Sequence, residues 1–324
     1  LIDRAVIIAI GSTHHRSQLI YNRPRAMLPI LGKPLVTRIM DRLVDAGIHR
    51  FHVVLGIEEG GLASYLNSHW LPHVDVKFLI HPTGQPITDA LAQIVQQDKS
   101  PFILTSYNSF THVHFPERLI KHSDDHSAAL VLSGAHTPLS RSNTHYYAHM
   151  DADRVVNIEK HALESGDMLH LSDMALCGEQ FIQYLHTAPK LDFAPDYRDL
   201  IHLYRSYLHT NAPVYLVDTA WTLQIETDPD LLTLSKHLLD EEEDAHILSE
   251  LPGTVQIIPP VRIDPQVSVG QHARIGPYVY LESGCSIGQE ATVSNALILQ
   301  KSVVLPRERI SDTILASKAR ISTR

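Results

Sequence analysis

Ile263, Val269, Ile275, Leu281, Ile287, Val293, Leu299 and Leu305 recur every six residues, and glycine follows three of them, at Gly270, Gly276 and Gly288. A period of six matches neither the turn of an α-helix nor the two-residue alternation of a flat strand. It matches a left-handed parallel β-helix, in which three hexapeptide repeats close one triangular coil and each periodic aliphatic points inward. Residues 259–324 are therefore expected to form such a domain. Its open coil ends and flat faces suit self-association, which makes a homo-oligomer the expected state. Tyr278, Tyr280 and Val304 are the candidates for an apolar exposed face on it.

The preceding chain follows another rule. Residues 5–10 form a short apolar run ending at Gly11, as a buried parallel strand does. Helical spacing over 34–48 follows, with Pro34 in the first turn and Gly47 at the C-terminal cap. Strands over 51–57, 74–80, 101–107 and 127–135 then alternate with helices over 59–69, 87–97 and 115–122. A hairpin turning at 151–153, helices over 179–186 and 196–208, a strand over 213–219 and a helix over 229–243 complete the pattern. Alternating strands and helices predict an α/β, Rossmann-like, doubly wound and mainly parallel sheet over 1–243, joined by a linker at 244–258 to the β-helix. Ligands bind such sheets beyond the carboxyl ends of the strands, so the loops after Ile10, Ile80 and Tyr107 are the ones to read for chemistry.

At 324 residues the chain is long enough for these two cores. The net charge of −9 argues against non-specific nucleic-acid binding. Two cysteines, Cys177 and Cys285, rule out a disulfide framework and fit a reducing cytoplasm. No apolar run is long enough to span a membrane, so no membrane partner is expected. Among the 22 histidines no H-x-x-x-H or H-E-x-x-H spacing sits on a convincing helix, and they read as solvated or hydrogen-bonded side chains.

Residues 23-RPRAMLPILGKPLVTRIMDRLVDAGI-48 resemble the R-P-K-x-M-L-P-I-x-G-K-P-L segment and following helix of sugar-1-phosphate nucleotidyltransferases. The chain resembles their long form, with a C-terminal β-helix, as in mannose-1-phosphate guanylyltransferases and glucose-1-phosphate thymidylyltransferases. Residues 155-VVNIEK-160 are similar to the family's V-x-x-I-x-E-K-P, and 221-WTLQIETDPDLL-232 to its W-x-D-I-G-T-P-E-D-L. The resemblance implies transfer of a nucleotidyl group to a sugar 1-phosphate with release of pyrophosphate, assisted by Mg²⁺.

The same alignment places departures at the chemistry. The family's G-x-G-T-R falls on Gly11, Ser12, Thr13, His14 and His15. Thr13 replaces a glycine that lets backbone approach a triphosphate, and His15 replaces a permanent cation. Arg25 replaces the lysine, and Arg16 stands near enough in sequence to compensate for His15. The two metal aspartates fall on Asn108 and Gln224, neutral amides that bring no charge to a dication. Glu226 and Asp218, nearby in sequence, are the residues that would substitute. Asp89 lies in the segment that resembles the base-reading loop, and Glu159 and Lys160 match the sugar-phosphate motif. No metal is expected, and Mg²⁺ enters only if the chain is active.

Three functions follow. The first is a pseudoenzyme that keeps the fold and acts as a binding, regulatory or assembly subunit, with a nucleotide or sugar nucleotide as ligand and a catalytic paralogue as partner. The second is an active sugar-1-phosphate nucleotidyltransferase with a rewired site. The third is a structural protein that self-assembles through its β-helix.

Overall fold

The computed structural model describes residues 2–11, 17–20, 23–126, 128–137, 139, 146–160, 168–187, 199–241 and 245–323. The chain divides into two compact units, Leu1–His15 with Leu35–Gln224, and Arg16–Pro34 with Ile225–Arg324. This division differs from the 1–243, 244–258 and 259–324 partition expected from sequence, because residues 16–34 and the last helix group with the β-helix.

The first unit holds a nine-stranded sheet. In chain order its strands are β1 (Arg4–Ala9), β2 (Arg50–Gly56), β3 (Asp75–His81), β4 (Phe102–Ser106), β5 (Leu130–Ala135), β6 (Tyr147–Asp151), β7 (Arg154–Glu159), β8 (Met168–Cys177) and β9 (Val214–Asp218). They lie in the order β3-β2-β1-β4-β8-β5-β9-β7-β6, and β6 also pairs with β8. β3, β2, β1 and β4 run parallel, as do β5 and β9. β8 runs antiparallel between β4 and β5, so the sheet is mixed rather than mainly parallel.

Helices α1 (Leu35–Asp45), α2 (Gly60–His69), α3 (Ile87–Gln97), α4 (Phe115–His126), α5 (Glu179–Thr187) and α6 (Asp199–Leu208) belong to this unit. α1 and α3 bury apolar stripes at helical spacing, Leu35, Ile39 and Leu43 in the first and Ile87, Leu91, Ile94 and Val95 in the second. Those of α3 pack with Val6, Leu104, Leu132 and Ala175 of the sheet and with Phe181, Leu203 and Tyr204 of α5 and α6.

One ionic network lies at the start of β1. The Arg4 guanidinium is fully buried, sits 4.9 Å from the Phe102 ring centroid and reaches Asp98 at 3.5 Å. Arg50 joins Asp98 at 2.9 Å and Asp3 at 2.6 Å. Burial pushes the Asp98 carboxyl up, but hydrogen bonds from Ser100 and the charges of Arg4 and Arg50 outweigh it and hold it down at about 2. A carboxyl depressed by folding adds stability above its unfolded pKa and loses it as pH falls toward the folded value. Asp98→Asn should therefore flatten the loss of stability between about pH 4 and pH 2. An unchanged slope in urea titrations across that window would remove Asp98 from the account.

In the second unit, parallel strands stack into coils with three faces. One face stacks Gln256–Ile257, Arg274–Ile275, the start of Thr292–Ile298 and the start of Arg309–Ala316. The next stacks Val261–Ile263, Val279–Leu281 and the ends of the same two long strands. The third stacks Ser268–Val269, Ser286–Ile287 and Val303–Val304. This is a parallel β-helix, and Ala319–Ser322 closes one side as an antiparallel strand.

The six-residue period slips once. Ile263 pairs with Leu281, 18 residues on, but Leu281 pairs with Ile298, 17 on. The inward residues of the last coil are therefore Ile298, Val304 and Ile310, not Leu299 and Leu305. Leu299 remains buried beside the ladder, whereas Leu305 is 62% exposed. The expected exposed face is corrected at two positions: Val304 turns inward with the slip, and Tyr280 is buried with its hydroxyl between the Gly32 N–H and Asp264, while Val303 and Leu305 are exposed.

The glycines after the inward residues have a steric cause. A Cβ at Gly270 would lie 2.4 Å from the backbone of Gln289 in the next coil, and one at Gly288 would lie 2.4 Å from Pro306. Leu305 occupies the same corner in the last coil of that face. Among the described residues no helix is long and apolar enough to cross a membrane.

Candidate functional site

β1, β2 and β4 end side by side, and the chain beyond each faces the end of the sheet where such folds bind ligands. Past β1, the Gly11 N–H donates to Oε1 of Glu59 at 2.9 Å. Glu59 is buried, and burial pushes its carboxyl above the ordinary range against the lowering effect of hydrogen bonds from Gly11, Gly56 and its own N–H. Ser12, Thr13, His14, His15 and Arg16 lie outside the described residues.

Past β4, the Tyr107 N–H donates to Ile8 and turns the chain, leaving Asn108 buried in that turn. The short strand Ser109–Thr111 then pairs antiparallel with Thr222–Gln224, setting Gln224 opposite Ser109. Asn108 and Gln224, far apart in sequence, are thus brought to one place.

A residue that sequence reading missed stands beside them. Asp173, on β8, is buried, and its Oδ2 accepts from Ser106 Oγ and from Gln224 Nε2 at 3.0 Å. Its N–H donates to Ser109 Oγ, which meets Ser172 Oγ at 3.0 Å, and its carbonyl accepts from Tyr204 Oη at 2.8 Å. The site therefore holds one carboxylate braced by neutral donors. A Mg²⁺ ion held by paired carboxylates does not fit these residues: positions 108 and 224 carry no charge, and the Gln224 amide is turned to Asp173. Among the described residues no three His, Cys, Asp or Glu side chains group as metal ligands.

The remaining positions are placed as follows. Asp89 is half-buried in the first turn of α3. Glu159 ends β7 and accepts from Asn157 at 2.8 Å, while Lys160 is exposed just beyond it. Asp218, at the end of β9, pairs with Arg118 at 3.1 Å on the surface.

The signature loop belongs to the second unit, and its contacts there are specific. Ser17 and Gln18 donate to the Asp228 carboxylate at the start of α7 (Asp228–Asp240). Arg25 donates to the backbone carbonyl of Glu226 at 2.8 Å. Glu226 is buried, and its N–H donates to Asp230, which also caps α7 through the Thr227 N–H. Arg23 pairs with Glu282 of the β-helix at 3.2 Å. The Gly32 N–H donates to Tyr280 Oη, which donates to Asp264 at 2.7 Å. Gly32 has φ +80°, and a Cβ there would strike the Arg262 guanidinium, so the glycine of G-K-P is fixed by its seat on the β-helix.

An α/β sheet with a ligand-facing end and a signature loop seated on a parallel β-helix defines the class of protein. Comparison with known proteins agrees. The nucleotidyl transferase family model matches residues 4–165, and that of the GMPPB C-terminal domain matches residues 257–324. The bifunctional protein GlmU of Symbiobacterium thermophilum is 30% identical over 133 residues, covering 40% of this chain. The chain spans 27% of that relative's length. A putative glucose-1-phosphate thymidylyltransferase from Bacillus anthracis superposes with TM-score 0.61 at 13% identity, over 72% of this chain and 94% of that one. The inositol-1-phosphate CTP transferase from T. maritima superposes with TM-score 0.57 at 16% identity, over 72% and 96%. These two likenesses establish the fold. The chain belongs to the nucleotidyl transferase family.

Proposed function

We propose that this chain binds a nucleotide or sugar nucleotide without turning it over, and acts as a binding or assembly subunit. The observation that carries the reading is the Asp173 brace. The two positions that the resemblance assigns to Mg²⁺ carry amides, and one of them commits its N–H₂ to an internal carboxylate. Arg25 likewise directs its guanidinium to a backbone carbonyl. Fixed charges aimed at a developing pyrophosphate are the largest single term in this chemistry, and internal partners remove them.

The test is pyrophosphate release with Mg²⁺ over a panel of nucleoside triphosphates and sugar 1-phosphates, beside direct binding of the same compounds. Binding without release is the expected result. Release abolished by a chelator would overturn the reading and favour an active, rewired enzyme.

A second reading, self-assembly through the β-helix, is supported by Val303 and Leu305. Both are more than half exposed, and Val303–Val304 is an end strand of its three-stranded face. Light scattering over a dilution series separates a closed oligomer from an open assembly.

A further inference from the structure

One outer face of the β-helix carries polar side chains that are buried. Val261 and Ile263 point into the coil, as do Val279 and Leu281 one coil on, so Arg262 and its register partner Tyr280 point outward. Asp264 and Glu282 follow at the strand ends. Outward polar side chains of a β-helix ordinarily meet water. Here Tyr280 is fully buried, and Asp264 and Glu282 are only 6% and 9% exposed.

Buried polar groups are costly unless each has its partner, and these are joined in a chain. Arg262 Nε donates to Asp264 Oδ1 at 2.9 Å, Tyr280 Oη donates to Asp264 Oδ2 at 2.7 Å, and the Gly32 N–H donates to Tyr280 Oη at 3.0 Å. A hydroxyl has one proton to give. Asp264 takes it, so the lone pairs of Oη are left for Gly32. Burial, with the Asp264 and Glu282 carboxylates beside it, pushes the hydroxyl well above its ordinary range and keeps that proton in place. Glu282 holds the same loop a second time, through Arg23 at 3.2 Å, while its other oxygen accepts the Gln300 N–H at 2.7 Å.

We propose that Tyr280 is a positioning residue: its hydroxyl, oriented by Asp264, fixes the backbone of the signature loop in the conformation that receives the nucleotide. The inference rests on the reading that this chain binds a nucleotide. It adds that the β-helix takes part in binding, through a side chain that acts on the loop's backbone. A loop held in one conformation before the ligand arrives has less ordering left to lose on binding.

The experiment combines amide hydrogen exchange at Gly32 with calorimetric titration of the full chain by ATP, CTP, GTP, UTP and dTTP. Tyr280→Phe keeps the ring and removes the acceptor. Asp264→Asn keeps ring and hydroxyl, but the new amide can donate to Oη and turn the hydroxyl proton toward Gly32. Ser268→Ala is the control, because Ser268 is exposed on the third face. The Gly32 amide is expected to exchange about tenfold faster in both seat variants, and the nucleotide that wild type takes is expected to bind about tenfold more weakly. Protection of Val279–Leu281 should persist, and Ser268→Ala should change either readout by less than about twofold. If Asp264→Asn does not fold, Tyr280→Phe, which removes a single oxygen, carries the comparison.

Wild-type exchange at Gly32 in Tyr280→Phe would overturn the proposal, because the ring alone would then hold the loop. Faster exchange with unchanged nucleotide affinity would also overturn it, while leaving the nucleotide reading intact. No binding of any of the five nucleotides by any form of the chain would overturn that reading and the proposal with it.

Discussion

Gly276→Ala is expected to destabilise the β-helix by about 3–5 kcal/mol, the largest effect of any single methyl added to this unit. Two costs coincide there. Gly276 has φ +112°, a conformation that a Cβ disfavours by about 1–2 kcal/mol. The added Cβ would also lie 1.8 Å from the carbonyl oxygen of Ile258 in the preceding coil. That neighbour is backbone in a stacked coil, so it cannot rotate away, and the ladder between Ile257 and Ile275 must part. A graded series separates the terms. Gly253→Ala meets nothing within 4 Å and should be nearly neutral. Gly284→Ala, with φ +79° and its nearest neighbour at 3.8 Å, should cost the backbone term alone. Trp70 and Trp221 both lie in the first unit, so their fluorescence follows that unit. Amide hydrogen exchange along the stacked strands follows the other. Equal protection in Gly276→Ala and wild type would contradict the stacked geometry.

The same β-helix marks how far sequence reading reaches. The period identified the architecture because every inward position of the early coils must be aliphatic. It could not locate the slip in the last coil, because Ile298-Leu299 and Val304-Leu305 are adjacent aliphatic pairs and either register satisfies the pattern. Backbone pairing chooses Ile298 and Val304. In the first unit α1 and α3 were legible from a buried stripe each, and α3 falls on the expected residues 87–97. Strand β8 was not, because it lies between two strands and alternates poorly, and Ser172-Asp173 interrupts 168-MLHLSDMALC-177 in the manner of a turn. Missing β8 meant missing Asp173, and with it the group that gives Gln224 its role. The signature loop was recognisable as a motif, but its anchors Tyr280 and Glu282 are some 250 residues away, as the pairing of Gly32 with Tyr280 (|i−j| = 248) illustrates. No local pattern announces such a partner.

Asp173 and Gln224 are expected to tolerate exchange of charge only as a pair. In the wild type, Oδ2 of Asp173 accepts from Gln224 Nε2 and Ser106 Oγ, so the amide stabilises the buried carboxylate. Gln224→Glu removes that donor and sets a second carboxylate at the same separation, where both cannot stay ionised without cost. The expected loss is about 2–3 kcal/mol at neutral pH, tempered because Gln224 is only half-buried, and it should shrink in mild acid as the pair takes up one proton. Asp173→Asn alone removes the charge that Ser106 and Gln224 are arranged around and should also destabilise. Together the two substitutions reverse the polarity of one hydrogen bond: the new amide at position 173 would donate and the new carboxylate at position 224 would accept. The double variant should therefore recover much of the loss, with a coupling of about 2 kcal/mol in a double-mutant cycle read by tryptophan fluorescence. Additive effects would mean that the two side chains do not depend on one another. Strong coupling would show that the buried carboxylate at position 173 and the amide at position 224 are set by one another, as the single hydrogen bond between them requires.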